Sequence, residues 1–193
     1  MKKPSDFSRL MGYAGGHRVF TYASLALSAV SALMALLPFL YIWRILRDVL
    51  AAAPDYTQAV NIPHYGWMAV LFAVLSYLIY VCALLCSHLS AFRVATKLRL
   101  AVTKHLAELP LGFTERFGSG QLRKIIQEST GAAETYLAHQ LPDQAGAMAT
   151  PAGLLVLLFA FDWRLGLLSL IPVVLGFLIM MSMTGAKMQQ KMK

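Results

Sequence analysis

Four stretches of this chain are too long and too free of charge for a water-soluble fold. Val19 to Trp43 carries no charged residue. Tyr56 to Phe92 carries none apart from His64 and His88, and its apolar part starts near Gly66. Gln144 to Phe161 and Leu165 to Ala186 complete the set. Each reaches the roughly 18–20 residues that a helix needs to cross a bilayer. A span in lipid must satisfy its own backbone hydrogen bonds, which favours helices over a barrel. Composition agrees: 58% of the 193 residues are hydrophobic and 13% are charged, about half the charge fraction of a soluble domain. The expected fold class is an all-α membrane protein with four transmembrane helices, at about 19–43, 66–90, 142–161 and 165–186. The first run is longer than a signal-peptide core and ends in no small-residue cleavage site, so it reads as a retained span.

The net charge of +8 would suggest nucleic acid on a soluble protein. Its placement argues against that. Fourteen of the 17 basic residues precede the first run, follow the last, or lie between the second and third; Arg44, Arg47 and Arg164 are the exceptions. The positive-inside rule then places both termini and the central segment in the cytoplasm of a multi-pass plasma-membrane protein. Basic side chains at that level suit anionic headgroups, so the partner they imply is the lipid bilayer and not nucleic acid. Residues 1–18 read as a polar, basic lead-in. Cys82 and Cys86 lie one helical turn apart inside the second span, a poor geometry for a disulfide and too few ligands for a metal. They read as small packing residues.

Between about Ala91 and Leu141 the chain is too charged for lipid and too periodic for a loop. Ala91, Val94, Leu98, Ala101, His105 and Leu109 step by three and four; so do Leu122, Ile125, Ser129, Ala132, Tyr136 and Gln140, with Ile126, Ala133, Leu137 and Leu141 beside them. Both patterns describe amphipathic helices. Each arm has about twenty residues and projects roughly 30 Å at the helical rise. Arms of that length are not needed to join two spans.

The arms meet in "ELPLGFTERFGSGQL", Glu108 to Leu122. Pro110 has no amide hydrogen with which to continue the descending helix, and Gly118 and Gly120 free the backbone to turn. Phe113 and Phe117 are four apart, so one helical turn puts both rings on one face, with Glu115 and Arg116 elsewhere. This describes a short helix across the arm's end with two aromatic knobs for a partner to bury. The alternative is a passive turn whose rings fold back on the arms.

These residues, in this order, resemble the N-terminal part of the transmembrane domain of an ATP-binding-cassette (ABC) exporter, of the type I exporter or type IV class. The resemblance rests on Leu109-Pro110, on Phe113-Thr114-Glu115-Arg116-Phe117, on Gly120-Gln121-Leu122, and on Trp163 in a tight outer turn before "RLGLLSL" and Pro172. It departs from the family pattern at Ile125 and Ser129, where many members carry an arginine and an aspartate; Arg123, Lys124 and Glu128 stand nearby.

The resemblance implies that the tip is a coupling helix docking on a nucleotide-binding domain. Leu111, Phe113, Thr114, Glu115, Arg116 and Phe117 would make the contact, and Pro110, Gly118 and Gly120 the turn. It also implies a second transmembrane domain, as homodimer or heterodimer. The family has six spans where four are visible here, so the chain reads as a fragment. It holds no glycine loop ending in lysine and serine or threonine for phosphates. No catalytic or metal residue is therefore expected in it, and ATP and Mg belong to the nucleotide-binding domain. The alternative function is a small stand-alone four-helix membrane transporter or assembly protein without ATP coupling.

Remaining polar residues read as structural. Arg44 and Asp48, four apart, suit a mutual ion pair at the outer headgroup level. His88 and His105 read as interfacial, and His139 marks the chain's return to the membrane. Met180, Met181 and Met183 read as lipid-facing. Pro38, Pro151 and Pro172 are kink candidates, and the small residues around Gly146 invite close helix approach.

Overall fold

The computed structural model describes residues 6–56, 59–110, 112 and 118–184. All of its regular elements there are helical: α1 (Asp6–Ala14), α2 (Arg18–Met34), α3 (Leu37–Ala52), α4 (Ile62–Ala107), α5 (Ser119–Thr135), α6 (Leu141–Phe161) and α7 (Trp163–Thr184). A single π-turn, Tyr136–Gln140, joins α5 to α6. Four helical stretches are long and apolar enough to cross a membrane: Phe7–Ala52, Ile62–Ala107, Ser119–Phe161 and Trp163–Ser182. The chain divides into two compact units, Met1–Ala149 and Thr150–Lys193.

In the first unit the described part of the lead-in is helical. Residues Asp6–Ala14 form a helix whose Met11 and Ala14 are buried. The Arg18 Nε donates to the Met11 carbonyl at 2.6 Å, supplying one of the partners that a helix end lacks. Pro38 interrupts the first span as its missing amide requires. α2 stops at Met34, and α3 restarts with the proline in its first turn. α3 then runs on to Ala52, just before Pro54.

The tightest packing lies where the apolar half of α4 gives way to its charged half. Met11, Ala14, Ala91, Val94, Leu137, Ala138 and Leu141 form one buried cluster, with Phe7, Leu10, Leu25 and Tyr136 against it. Ala91, Val94 and Ala95 are small enough for α1 and the π-turn to approach α4 closely, and all three are at most 1% exposed.

A second device holds the apolar helices together. Thr21, Ser24, Ser28 and Ser31 follow one face of α2, and all are buried. Between lipid-facing helices there is little hydrophobic drive to associate, so packing of small side chains and hydrogen bonds must supply it. Thr21 Oγ1 meets Ser90 Oγ at 2.6 Å, Ser31 donates to the Ser76 carbonyl at 2.9 Å, and Ser28 donates to the Pro142 carbonyl at 2.6 Å. Gly146 faces that last contact: a Cβ there would stand 3.3 Å from Ser28 Oγ. Ser24 turns back to the Thr21 carbonyl of its own helix.

At the other end of α3, Arg44 lies over the Tyr41 and Tyr65 rings at 5.5 and 6.0 Å, and Tyr41 stacks on Phe72. The expected Arg44–Asp48 ion pair does not form among the described residues; the aromatic faces draw the guanidinium instead. Cys82 is exposed and Cys86 half-buried, both as free thiols. Neither belongs to the buried cluster, so the packing role expected of them falls to serines and alanines.

In the second unit the turn before α7 is set by Asp162, whose Oδ1 accepts the Arg164 amide at 2.8 Å. This is a helix N-cap. Pro151 and Pro172 lie inside continuous helices, so neither breaks its span. Met180 and Met181 are exposed, whereas the Met183 side chain lies outside the described residues.

Candidate functional site

α4 is one unbroken helix of 46 residues, about 69 Å at 1.5 Å per residue. A bilayer core is about 30 Å thick, so more than half of α4 stands outside it. α5 runs back beside that outer part. The two form a paired arm with its tip between residues 107 and 119.

The arm is held by a mixed seam. On α5 the inward positions are Leu122, Ile126, Thr130 and Ala133, continued by Leu137 in the π-turn, and Thr130 is 1% exposed. The stripe expected from the sequence starts at the same Leu122 but continues through Ile125, Ser129 and Ala132, which are exposed; Ile126, Ala133 and Leu137, read as lying beside it, are the inward ones. Thr130 explains the offset. Its hydroxyl donates to the Ile126 carbonyl at 2.8 Å and accepts from Arg99 Nε at 3.1 Å, so a polar residue takes the innermost place. The same Arg99 reaches Glu134 Oε2 at 3.0 Å. This cross-arm pair ties α4 to α5, and sequence reading missed it. Lys124 and Glu128, the nearby charges that stood out in the sequence, pair along their own helix at 3.7 Å and are well exposed.

Toward the tip the arms part. A cleft of about 580 Å³ opens between them, floored by Leu106, Leu122 and Ile126 and edged by Arg99 and Arg123. α4 ends at Ala107 with a tightened turn, Leu109 N–H to the Leu106 carbonyl at 3.2 Å. His105 Nδ1 and Glu108 Oε2 lie 3.8 Å apart on the surface. Pro110 follows, exposed and outside any helix. α5 starts from Gly118, whose φ of 72° and ψ of 143° belong to a region that essentially only glycine occupies. Its carbonyl accepts the first helical bond, from Leu122 N–H at 3.2 Å. Gly120 sits in the first turn of α5 without a positive φ, so of the two glycines it is Gly118 whose backbone angle calls for one. Leu111, Phe113, Thr114, Glu115, Arg116 and Phe117, the expected docking residues, lie outside the described residues.

The other end of the arm is closed by the π-turn. Ser87 donates to the Ala138 carbonyl at 2.7 Å, His88 and His139 meet edge to face at 4.8 Å, and Tyr80 donates to Asp143 Oδ1 at 3.1 Å. Among the described residues no group of three or more His, Cys, Asp or Glu side chains is placed to hold a metal ion.

Residues 21–193 match the family profile described as ABC transporter transmembrane region. Over 86% of its length the chain is 30% identical to the mycobactin import ATP-binding/permease protein IrtA of Mycolicibacterium smegmatis. It is 32% identical over 85% to the protein of that name from Mycolicibacterium thermoresistibile. It is 32% identical over 89% to the ATP-dependent lipid A-core flippase of Idiomarina loihiensis. The chain spans 19%, 18% and 29% of those three proteins. One relative name records import and another a flippase, so the exporter expectation narrows to its architecture; the direction of transport does not follow from the likeness.

Proposed function

Since the chain belongs to the family of ABC transporter transmembrane regions, we propose that it forms part of the membrane pathway of an ATP-driven transporter and is moved by a nucleotide-binding domain docked at its arm tip. The carrying observation is the unbroken 46-residue α4. A rigid helix that long transmits a push at one end to the other, where a flexible loop would absorb it. Its outer part is braced along α5 by Arg99, Thr130 and Glu134.

In this reading the tip lies in the cytoplasm, the side that the placement of the fourteen basic residues favours. Phe113 and Phe117 are the anchors, and Glu115 and Arg116 fix the docking angle. The nucleotide-binding domain supplies ATP and Mg chemistry; this chain supplies the lever and part of the wall. The second transmembrane domain completes the pathway. Relatives named as ATP-binding/permease and ATP-dependent proteins favour this reading over a stand-alone bundle.

The test is ATP turnover of the complete transporter in lipid nanodiscs. Phe113→Ala with Phe117→Ala should lower it at least tenfold while leaving the assembled membrane part folded. Unchanged turnover in that double variant would remove the docking role.

A further inference from the structure

We propose that Ser87 and Pro142 hold a one-residue slip in the returning helix, and that this slip sets the angle at which the arm tip faces relative to its span. The inference rests on the coupling reading only for what the angle is used for; the slip itself is geometry.

Along α5, the π-turn and α6 the chain stays helical without a break from Ser119 to Phe161. Within it the Leu141 amide bonds to the Tyr136 carbonyl, five residues back instead of four. Such a turn holds one extra residue. Because each α-helical residue advances the chain by about 100° and 1.5 Å, closing the turn to a plain α-helix would rotate the arm by about 100° against the span.

Two residues keep it open. The ring of Pro142 would collide with the carbonyl four residues back, Ala138, in a regular helix, and Pro142 has no amide hydrogen to offer that carbonyl. Widening the preceding turn relieves the collision. A donor then comes from outside: Ser87 Oγ, which also lies 2.9 Å from the Leu84 carbonyl of its own helix, makes its shorter contact to Ala138 O at 2.7 Å. Both Ser87 and Ala138 are buried, at 1% and 2% exposure, so water cannot take Ser87's place. Ser28 secures the far side of the proline by donating to its carbonyl. The slip is thereby fixed from α4 and α2 at once, inside the cluster that closes the arm's base. Ser87 and Pro142 are positioning residues; neither is placed to touch cargo or nucleotide.

The experiment uses the complete transporter in nanodiscs, with Cys82→Ser and Cys86→Ser, and spin labels at Gln127→Cys and Gln144→Cys on either side of the turn. The label separation and ATP turnover are measured together. Pro142→Ala restores an amide donor for Ala138 and should close the turn, shifting the separation by several ångströms and lowering turnover at least fivefold. Deleting His139 in the Pro142→Ala background removes the surplus residue and should return both readouts toward wild type, which a merely structural role for the proline would not do. An unshifted separation in Pro142→Ala overturns the proposal, as does a deletion that fails to restore it. If the separations shift and recover as stated while turnover ignores both these variants and the Phe113/Phe117 pair, the slip stands and the coupling reading falls.

Discussion

The base of the paired arm and its tip are built from the same two helices but finished in opposite ways. At the base, Ala91, Val94, Leu137 and Ala138 are buried to within 2% of complete, and the carbonyl that Pro142 cannot serve is met by Ser87. At the tip the arms part around a cleft, a glycine holds a backbone angle that other residues resist, and Pro110 stands exposed. The base is closed by its own side chains. Among the described residues next to the tip, Leu106, Leu122 and Ile126 line the cleft instead of a closed core. That asymmetry is what the proposed lever would need: a fulcrum that does not yield and an end that is gripped.

The contrast can be broken most severely at the base. Val94→Asp places a carboxylate at a site with 0% exposure, within an apolar cluster, a cost of several kcal/mol. The variant should yield no monodisperse protein on size-exclusion chromatography in detergent. Ser87→Ala is next. It removes the side-chain donor to the buried Ala138 carbonyl, a loss worth up to about 1–3 kcal/mol, read as a lower unfolding midpoint in detergent. Pro142→Ala added to it should recover part of that loss, because the new amide serves the same carbonyl.

At the tip the pattern should reverse, with function more sensitive than stability. Gly118→Ala meets no atom within 4 Å, so its strain of about 1–3 kcal/mol comes from the backbone angle alone. Local rearrangement of the turn should absorb it, leaving the unfolding midpoint close to wild type while ATP turnover falls. Smallest is the arm's cross-brace. Arg99 and Glu134 have side chains 48% and 26% exposed, and solvent screening holds such pairs to about 0–1 kcal/mol. Glu134→Gln should move the midpoint by no more than that, and less still at high salt.

The same contrast governs what the sequence revealed. Spans and arms were legible because length and periodicity are local properties: the four long helices lie over the four charge-free runs. What required contact between distant segments was not. The α5 stripe was read through Ile125, Ser129 and Ala132, whereas the innermost residue is Thr130, whose partner Arg99 is 31 positions away. The slip at Tyr136–Gln140 depends on a serine 51 positions earlier. The hydroxyls at 21, 24, 28 and 31 did carry a signal, since they step by three and four within a charge-free run, but serine is neutral to a hydropathy reading. The α1 helix was hidden by its basic neighbours.

The central claim is that the tip faces the cytoplasm and is gripped there. The direct measurement is alkylation of Phe113→Cys, in a background of Cys82→Ser and Cys86→Ser, by a membrane-impermeant maleimide in sealed vesicles of both orientations. The account expects labelling only in inverted vesicles, and protection whenever the nucleotide-binding domain is present. Labelling from the outer face, or no labelling from either side after that domain is removed, would contradict it.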